Sequence, residues 1–357
     1  MGFDRRTLLI GMGLTLATAC ARAEKRGENR TEKQSGSRSA RPIEKRRETA
    51  VTGGVDWPSF KASFLDPIGR VVDNGNGGVS HSEGQSYGLL LAVWNDDQPV
   101  FDTLWKWTES TLAHQDMALF SWRYDPRAAI PVNDPNNATD GDIAIAWALA
   151  QAARKWRNPA YAQRSSAIRQ AIRAKLVIER FGRQLLLPGL NGFNGEPNAT
   201  LNPSYYLWPA LDAFRDLDGD AAWGKIIGDG EALMERARFG PLALPTDWID
   251  VTGHNSVMPA AGRPARFGFD AIRVPLYAQA GRRTELVAPI RQYWQGYTGN
   301  HQPIPAWVDV QSGEVAPYAL SAGGAAIAAN ILGGSVPDRL STDYFAASLQ
   351  MLAAHLK

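Results

Sequence analysis

This sequence predicts a mostly helical domain in which one closed layer of helices sits inside another, and three observations support that fold class. About eleven segments from Asp56 onward carry apolar residues at helical spacing. Few stretches alternate as strands do, the best candidates being Arg183-Gln184-Leu185-Leu186-Leu187 and Trp307-Val308-Asp309-Val310. Several segments, Ile143-Ala144-Ile145-Ala146-Trp147-Ala148-Leu149-Ala150 among them, are apolar on more than one face, as a helix enclosed on both sides must be.

The helical segments begin near Asp56, Ser82, Gln98, Asp140, Pro159, Pro203, Asp220, Gly268, Thr284, Pro317 and Ser341. The one starting at Ser82 organises the rest. Ser82, Glu83 and Gln85 stand in its first turn, and Tyr87, Leu90, Leu91 and Trp94 follow at i, i+3, i+4 and i+7 as a buried stripe. Ala138-Thr139-Asp140-Gly141-Asp142 leads into a second such helix, where Thr139 or Asp140 would cap. Asn202-Pro203-Ser204-Tyr205-Tyr206-Leu207-Trp208-Pro209 opens a third, and Phe267-Gly268-Phe269-Asp270-Ala271-Ile272-Arg273-Val274-Pro275 a fourth. Between helix pairs run long polar connections: Asn74 to Ser80, His114 to Thr139, Gly189 to Asn202, Asp247 to Arg266 and Asn300 to Ala316. Long loops in a compact domain are often functional, so these are expected to build one rim of the molecule.

The first 52 residues have a different character. Residues 1–21 read as an export signal: Asp4-Arg5-Arg6, the apolar run Leu8 to Leu16, then Ala17-Thr18-Ala19 before Cys20. The run is too short to span a bilayer. Arg5-Arg6 resembles a twin-arginine signal, and Cys20, the only cysteine, stands where a lipoprotein signal places its lipidated residue. Cleavage after Ala-x-Ala is the plainer alternative. Residues 22–52 offer only Ile43 and Val51 as sizeable apolar side chains and are expected to form a disordered charged linker, leaving 53–357 as the catalytic domain. The expected location is the periplasm, an outer-membrane anchorage through Cys20, or the medium.

The net charge of +2 conceals two unlike parts, because Arg22 to Glu48 carries ten Lys/Arg against five Asp/Glu. The folded remainder is mildly acidic. That excludes a basic groove for nucleic acid. One cysteine excludes an intrachain disulfide, so the fold rests on its core.

If helices alternate in direction around a ring, alternate helix starts face the same way. Glu83, Asp140, Tyr205 and Asp270 would then converge on one end, among aromatic side chains. Two carboxyl groups doing opposite jobs, one giving and one taking a proton, are what glycoside hydrolysis requires. Glu83 suits the acid, enclosed by Ser82 and Tyr87, with Asp140 supplying negative charge and gripping a sugar hydroxyl. Asp270 would activate water from the opposite face.

These motifs carry a resemblance. Ser82-Glu83-Gly84-Gln85-Ser86-Tyr87-Gly88, Ala138-Thr139-Asp140-Gly141-Asp142, Asn202-Pro203-Ser204-Tyr205 and Phe269-Asp270-Ala271-Ile272-Arg273-Val274-Pro275 look like the successive motifs of glycoside hydrolase family 8. With Trp57-Pro58 and Gly69-Arg70-Val71-Val72-Asp73 ahead of them, they are most similar to the endoglucanases encoded alongside bacterial cellulose synthases. The resemblance implies an all-α (α/α)6 barrel, an inverting mechanism, a β-1,4-glucan chain as substrate, and neither metal nor cofactor. Carried over by position, Glu83 matches the general acid, Asp270 the general base and Asp140 the central-subsite carboxylate. Tyr205 and Arg273 match positions near the base, and Trp122 matches a stacking aromatic. Phe269 departs from the pattern, standing where many relatives have Tyr.

Other residues read more plainly. Asp142 points about 200° away from Asp140 on a helix and suits a structural role. Trp94, Trp105, Trp107 and Trp147 lie on apolar stripes of the core. Tyr205 and Trp208 share one helix face, where sugar stacking and packing are both open readings, as is a substrate contact for Tyr87. No histidine spacing suits a metal. The expected protein is therefore an endo-β-1,4-glucanase, monomeric, with a functional link to a cellulose synthase complex. The alternatives are the same fold acting on mixed-linkage glucan, xylan or chitosan, and an inactive polysaccharide-binding lipoprotein.

Overall fold

The computed structural model describes residues 53–357, so the expected export signal, Cys20 and the expected charged linker lie outside the described residues. Eleven α-helices occupy this part: α1 (Trp57–Phe64), α2 (Ser82–Trp94), α3 (Gln98–Leu112), α4 (Thr139–Trp156), α5 (Pro159–Lys175), α6 (Trp208–Asp218), α7 (Asp220–Arg236), α8 (Arg273–Ala280), α9 (Thr284–Thr298), α10 (Ala322–Leu332) and α11 (Tyr344–His355). Neighbour packing runs α2 to α4 to α6 to α8 to α10 to α11 and back to α2, which closes an inner ring of six. Outside it, α3 lies on α2, α5 on α4, α7 on α6, α9 on α8 and α10, and α1 on α11. This is an (α/α)6 barrel in which an extended segment, 333–343, stands between α10 and α11 where a sixth outer helix would fit.

The inner helices run parallel. At one end of α2 and α4, Gly141 touches Ser82 and the Glu83 backbone. At the other, Trp94 donates to Gln151 and Lys155 to the Val93 carbonyl. Tyr344 lies against Gly84 while Asn95 meets His355, so α11 points the same way as α2. Gly323 against Ala346, and Asn330 donating to the Ala353 and Leu356 carbonyls, align α10 with α11. Burial on all sides follows: in α2 every residue from Gly84 to Val93 is buried, as the two-faced apolar pattern requires.

Outer helices α1, α3 and α5 start on a side-chain cap followed by proline. Asp56 accepts from Ser59 N at 2.8 Å, Asp97 from Val100 N at 3.3 Å and Asn158 from Ala160 N at 3.0 Å. The helices that carry Glu83, Asp140 and Arg273 have no such cap. Neither Thr139 nor Asp140 caps α4, contrary to expectation. Thr139 instead donates to the Leu187 carbonyl at 2.7 Å and sits inside the first turn.

The long connections hold nine short strands, more than alternation suggests: β1 (Ser80–His81), β2 (Arg123–Tyr124), β3 (Val177–Arg180), β4 (Arg183–Leu186), β5 (Ala199–Leu201), β6 (Ile249–Gly253), β7 (Ser256–Pro259), β8 (Arg266–Phe267) and β9 (Val308–Asp309). Strands β5, β6 and β7 form an antiparallel sheet with Ala199 opposite Val251. The pairing of β5 with β6 joins residues about 50 positions apart and leaves little local pattern, whereas β6 and β7 form a hairpin. Three expected helix starts also moved by five residues, and the one expected near Pro317 lies at Ala322. Pro203–Tyr205 forms one 3-10 turn before α6 begins at Trp208, and 268–272 stays a turn before α8.

Candidate active site

The rim where the inner helices begin is hollowed into an open trough of about 700 Å³ lined by Glu83, Asp140, Tyr205, Trp248, Asp270, Arg273, Trp122 and His81, with Asp73 and Tyr344 toward one side. Glu83 and Asp140 come from the first turns of α2 and α4, and Arg273 opens α8. Gly141 permits this approach, because a Cβ there would lie 2.4 Å from Ser82 Oγ and 2.9 Å from the Glu83 nitrogen.

Arg273 ties the carboxyl groups together. Its Nη1 contacts Glu83 Oε1 and lies 3.3 Å from Asp140 Oδ2, and its Nη2 donates to Asp270 Oδ1 at 2.6 Å. The guanidinium is itself buried, its side chain 3% exposed, against 20% for Glu83 and 18% for Asp270. Charge compensation by one cation is what allows three acids to gather in a partly desolvated site. A planar, always-charged fork suits that task better than lysine.

Each acid has its own surroundings. Tyr87 donates to Glu83 Oε1 at 3.1 Å, and its hydroxyl lies 3.3 Å from that of Tyr277. The Tyr87 and Arg273 contacts of Glu83 both fall on Oε1. Asp140 accepts from Gly141 N at 2.8 Å, and burial, aided by the charge of Asp270, raises its pKa to about 7. Burial raises Asp270 to about 6, opposed by the Asn202 amide, Arg263 and the Trp248 indole N–H, which favour its anion.

Aromatic walls flank these groups. Trp122 packs parallel to His81 with ring centres 5.8 Å apart and donates Nε1 to Asp134 at 2.7 Å. Ser82 N donates to the Trp122 carbonyl at 3.0 Å, tying that wall to the start of α2. Tyr205 meets Trp248 edge to face at 6.2 Å. Trp248 is stacked on Phe193 at 5.7 Å and covered by the Arg263 guanidinium at 3.9 Å, so its ring is fixed.

Of the residues singled out from sequence, Glu83, Asp140, Asp270, Tyr205, Arg273 and Trp122 all line the trough. Trp208 does not. It is 1% exposed and packs on Tyr206 and under Arg283, below the turn that carries Tyr205. Helical spacing put the two side by side; the 3-10 turn and the break at 206–207 separate them. Tyr87 is also withdrawn from the trough surface and touches Glu83 and Arg273 instead of an open wall. Asp142 is fully buried, accepting from Phe120 N at 2.9 Å and Asn137 Nδ2 at 2.6 Å, a structural role. Sequence reasoning missed Trp248, Asp247, His81 and Arg263. Trp248, Asp247 and Arg263 lie in a connection with no periodicity, marked only by the length of the Asp247–Arg266 loop, and His81 ends the short strand β1 just before α2. Among the described residues no group of His, Cys, Asp and Glu is arranged to hold a metal ion.

Residues 46–357 match the model of glycosyl hydrolases family 8. An endoglucanase of Cellulomonas uda is 43% identical over 268 residues, which is 75% of this chain and 74% of that protein. A GH8 endo-β-1,4-glucanase from an Achatina fulica gut metagenomic library has a similar structure, with a TM-score of 0.81 and 41% identity across 84% of this chain and 96% of its own. Endo-β-1,4-glucanase CMCax from Acetobacter xylinum gives 0.79 and 38% across 83% and 94%. A ring of parallel helices that brings acids from three separate motifs under one arginine, together with a family match from residue 46 to residue 357, establishes that the chain belongs to glycoside hydrolase family 8.

Proposed function

We propose that this chain is an endo-acting β-1,4-glucanase that cleaves internal glucosidic bonds with inversion. The observation that carries the reading is Arg273, whose single guanidinium contacts both Glu83 and Asp270, residues from opposite halves of the sequence. The acid and the base of such a reaction must flank one glycosidic bond.

In this mechanism Glu83 gives a proton to the leaving glycosidic oxygen. Tyr87 and Arg273 engage Oε1, so the proton is carried by Oε2. Asp270, ionised above about pH 6, takes a proton from water as the water oxygen bonds to the anomeric carbon and the C–O bond to the leaving chain breaks. The attack comes from the face opposite the leaving group, so the product is the α-anomer. Turnover leaves Glu83 ionised and Asp270 protonated, and solvent restores both. Asp140 holds a hydroxyl of the central sugar, and Trp122 and Tyr205 offer ring faces to neighbouring sugars. Cleavage within the chain is the reading that the similarity to endoglucanases supports.

The test is a reducing-sugar assay on carboxymethylcellulose, lichenan, xylan and chitosan. Highest turnover is expected on the β-1,4-glucan, and Glu83→Gln should abolish it while glucan binding survives. Full activity of Glu83→Gln would remove Glu83 from the mechanism. Product anomers read by NMR decide the stereochemistry, a β-anomer ruling out inversion.

Export rests on residues 1–21 alone, and we propose a periplasmic or outer-membrane-anchored enzyme. A diacylglyceryl adduct on Cys20, sought by mass spectrometry of the mature N-terminus, tests the anchor. A functional link to cellulose synthesis rests on the motif resemblance, and the cell-associated cellulose of a deletion strain tests it.

A further inference from the structure

The base Asp270 does not sit on a helix. It lies in the turn 268–272, between β8 and α8, whose carbonyls are tied to the helix start by Ile272 N to Gly268 O at 2.9 Å and Arg273 N to Asp270 O at 3.1 Å. The amides of Gly268, Asp270 and Ala271 are held by a side chain from elsewhere. Asp247, at the mouth of β6, accepts through a single oxygen, Oδ1, from the backbone N–H of Gly268 at 3.2 Å, of Asp270 at 3.0 Å and of Ala271 at 2.7 Å. The approach is close enough to require glycine at 268, where a Cβ would stand 2.7 Å from the other carboxylate oxygen. Asp247 N in turn donates to the Arg266 carbonyl at 2.8 Å, which pins the carboxylate to the strand entering the turn. The next residue, Trp248, brings its indole N–H beside Asp270.

We propose that Asp247 is the positioning residue of the catalytic base, holding the Asp270 turn in the trough through three amide hydrogen bonds to one carboxylate oxygen. The inference rests on the reading of Asp270 as base. Three donors aimed at one half-buried acceptor form an ordered cup, and losing it loosens the backbone that carries the reacting carboxylate. A displacement of about 1 Å at a reacting group costs on the order of 100-fold in rate, so the loss should fall on the chemical step. The charge of Asp247 is a second link between the two acids. Burial, aided by the negative charge of Asp270, raises Asp247 to about 7, so the pair shares protons between pH 6 and 7. The other charged groups facing Asp270 are Arg273, Arg263 and Asp140.

Steady-state kinetics on carboxymethylcellulose test this with Asp247→Ala, Asp247→Asn and Asp270→Asn. Asp247→Ala is expected to lower kcat on the order of 100-fold with KM within about threefold. Asp247→Asn keeps an oxygen able to accept the same three bonds and should recover kcat to within about fivefold, while loss of the neighbouring negative charge moves the acidic limb set by Asp270 to lower pH. Gly268→Ala reads the same contact from the other side, and should reproduce the fall in kcat even if Asp247→Ala does not fold. The proposal is overturned if Asp247→Ala or Gly268→Ala, folded, keeps wild-type kcat, or if folded Asp247→Asn is as impaired as the alanine variant. Wild-type turnover by Asp270→Asn would instead remove the base assignment on which it depends.

Discussion

The two ends of the barrel are built on different rules. At the closed end, inner helices pass to outer ones through very short links: 95–97 between α2 and α3, 157–158 between α4 and α5, residue 219 between α6 and α7, and 281–283 between α8 and α9. Each contains a residue with positive φ: Asp96 at 58°, Arg157 at 52°, Gly219 at 93° and Arg282 at 62°. Two lead into the capped, proline-started helices α3 and α5. At the open end the return links are long, 113–138, 176–207, 237–272 and 299–321, and they carry the strands, the aromatic walls and the base. Three inner helices begin there uncapped, at Glu83, Asp140 and Arg273, with acids in two of the first turns, whereas α10 and α11 are capped by Ser321 and Asp343. These three uncapped starts leave their polar groups for a substrate. The lesson is that stability and chemistry can be altered separately in this molecule.

Substitutions at each end should therefore differ in kind. The largest effect is expected at the open end, where Glu83→Gln or Asp270→Asn should lower kcat by about 10²–10⁴-fold, with melting temperature unchanged or raised. Loss of activity accompanied by a collapse of the thermal transition would contradict the separation. Gly141→Ala should be costly in both respects. The added methyl meets Ser82 Oγ and the Glu83 backbone, so about 1–3 kcal/mol of stability is lost and the acid is displaced, which denaturant titration and kcat together would register. Asp97→Ala at the closed end removes the cap of α3 and the partner of Lys61 and Trp57, costing about 1–2 kcal/mol. Its kcat should match wild type; a tenfold fall would show that the ends are coupled.

Stability should also depend on pH. Asp140, Asp247 and Asp270 all have folded pKa values of about 6 to 7, above the unfolded carboxylate value of about 3.9. Between these limits the folded state binds more protons than the unfolded one, so these groups make stability fall as pH rises from about 4 to 7. Melting temperatures from pH 5 to 8 should decline, and Asp270→Asn should flatten the slope. Activity runs the other way at its acidic limit, because Asp270 must be ionised, and kcat/KM should fall as pH drops through about 6.

Much of this was legible along the chain. Starts near Asp56, Ser82, Gln98, Asp140, Pro159, Asp220 and Thr284 match helices to within a residue, because amphipathic or doubly apolar periodicity is a local property. Glu83, Asp140, Tyr205 and Asp270 were found as polar residues at or near helix starts, and the assumption of alternating helix direction brought them together. Trp208 was misjudged because it shares a helical spacing with Tyr205 that the chain does not adopt. The expected cluster of acids also lacked its compensating cation: Arg273 was placed near the base, and it contacts all three carboxylates.

The sequence by itself determined the helical class, the long connections gathered on one rim and the four motifs with their acids, since each depends on residues within a turn or two of one another. Tertiary structure alone decided what surrounds those acids. Asp247 reaches the Asp270 turn across 23 positions, Arg273 reaches Glu83 across 190, and Trp248 is held between Phe193 and Arg263. Distances of that kind are fixed by closure of the ring and by loop packing, where no periodicity records them.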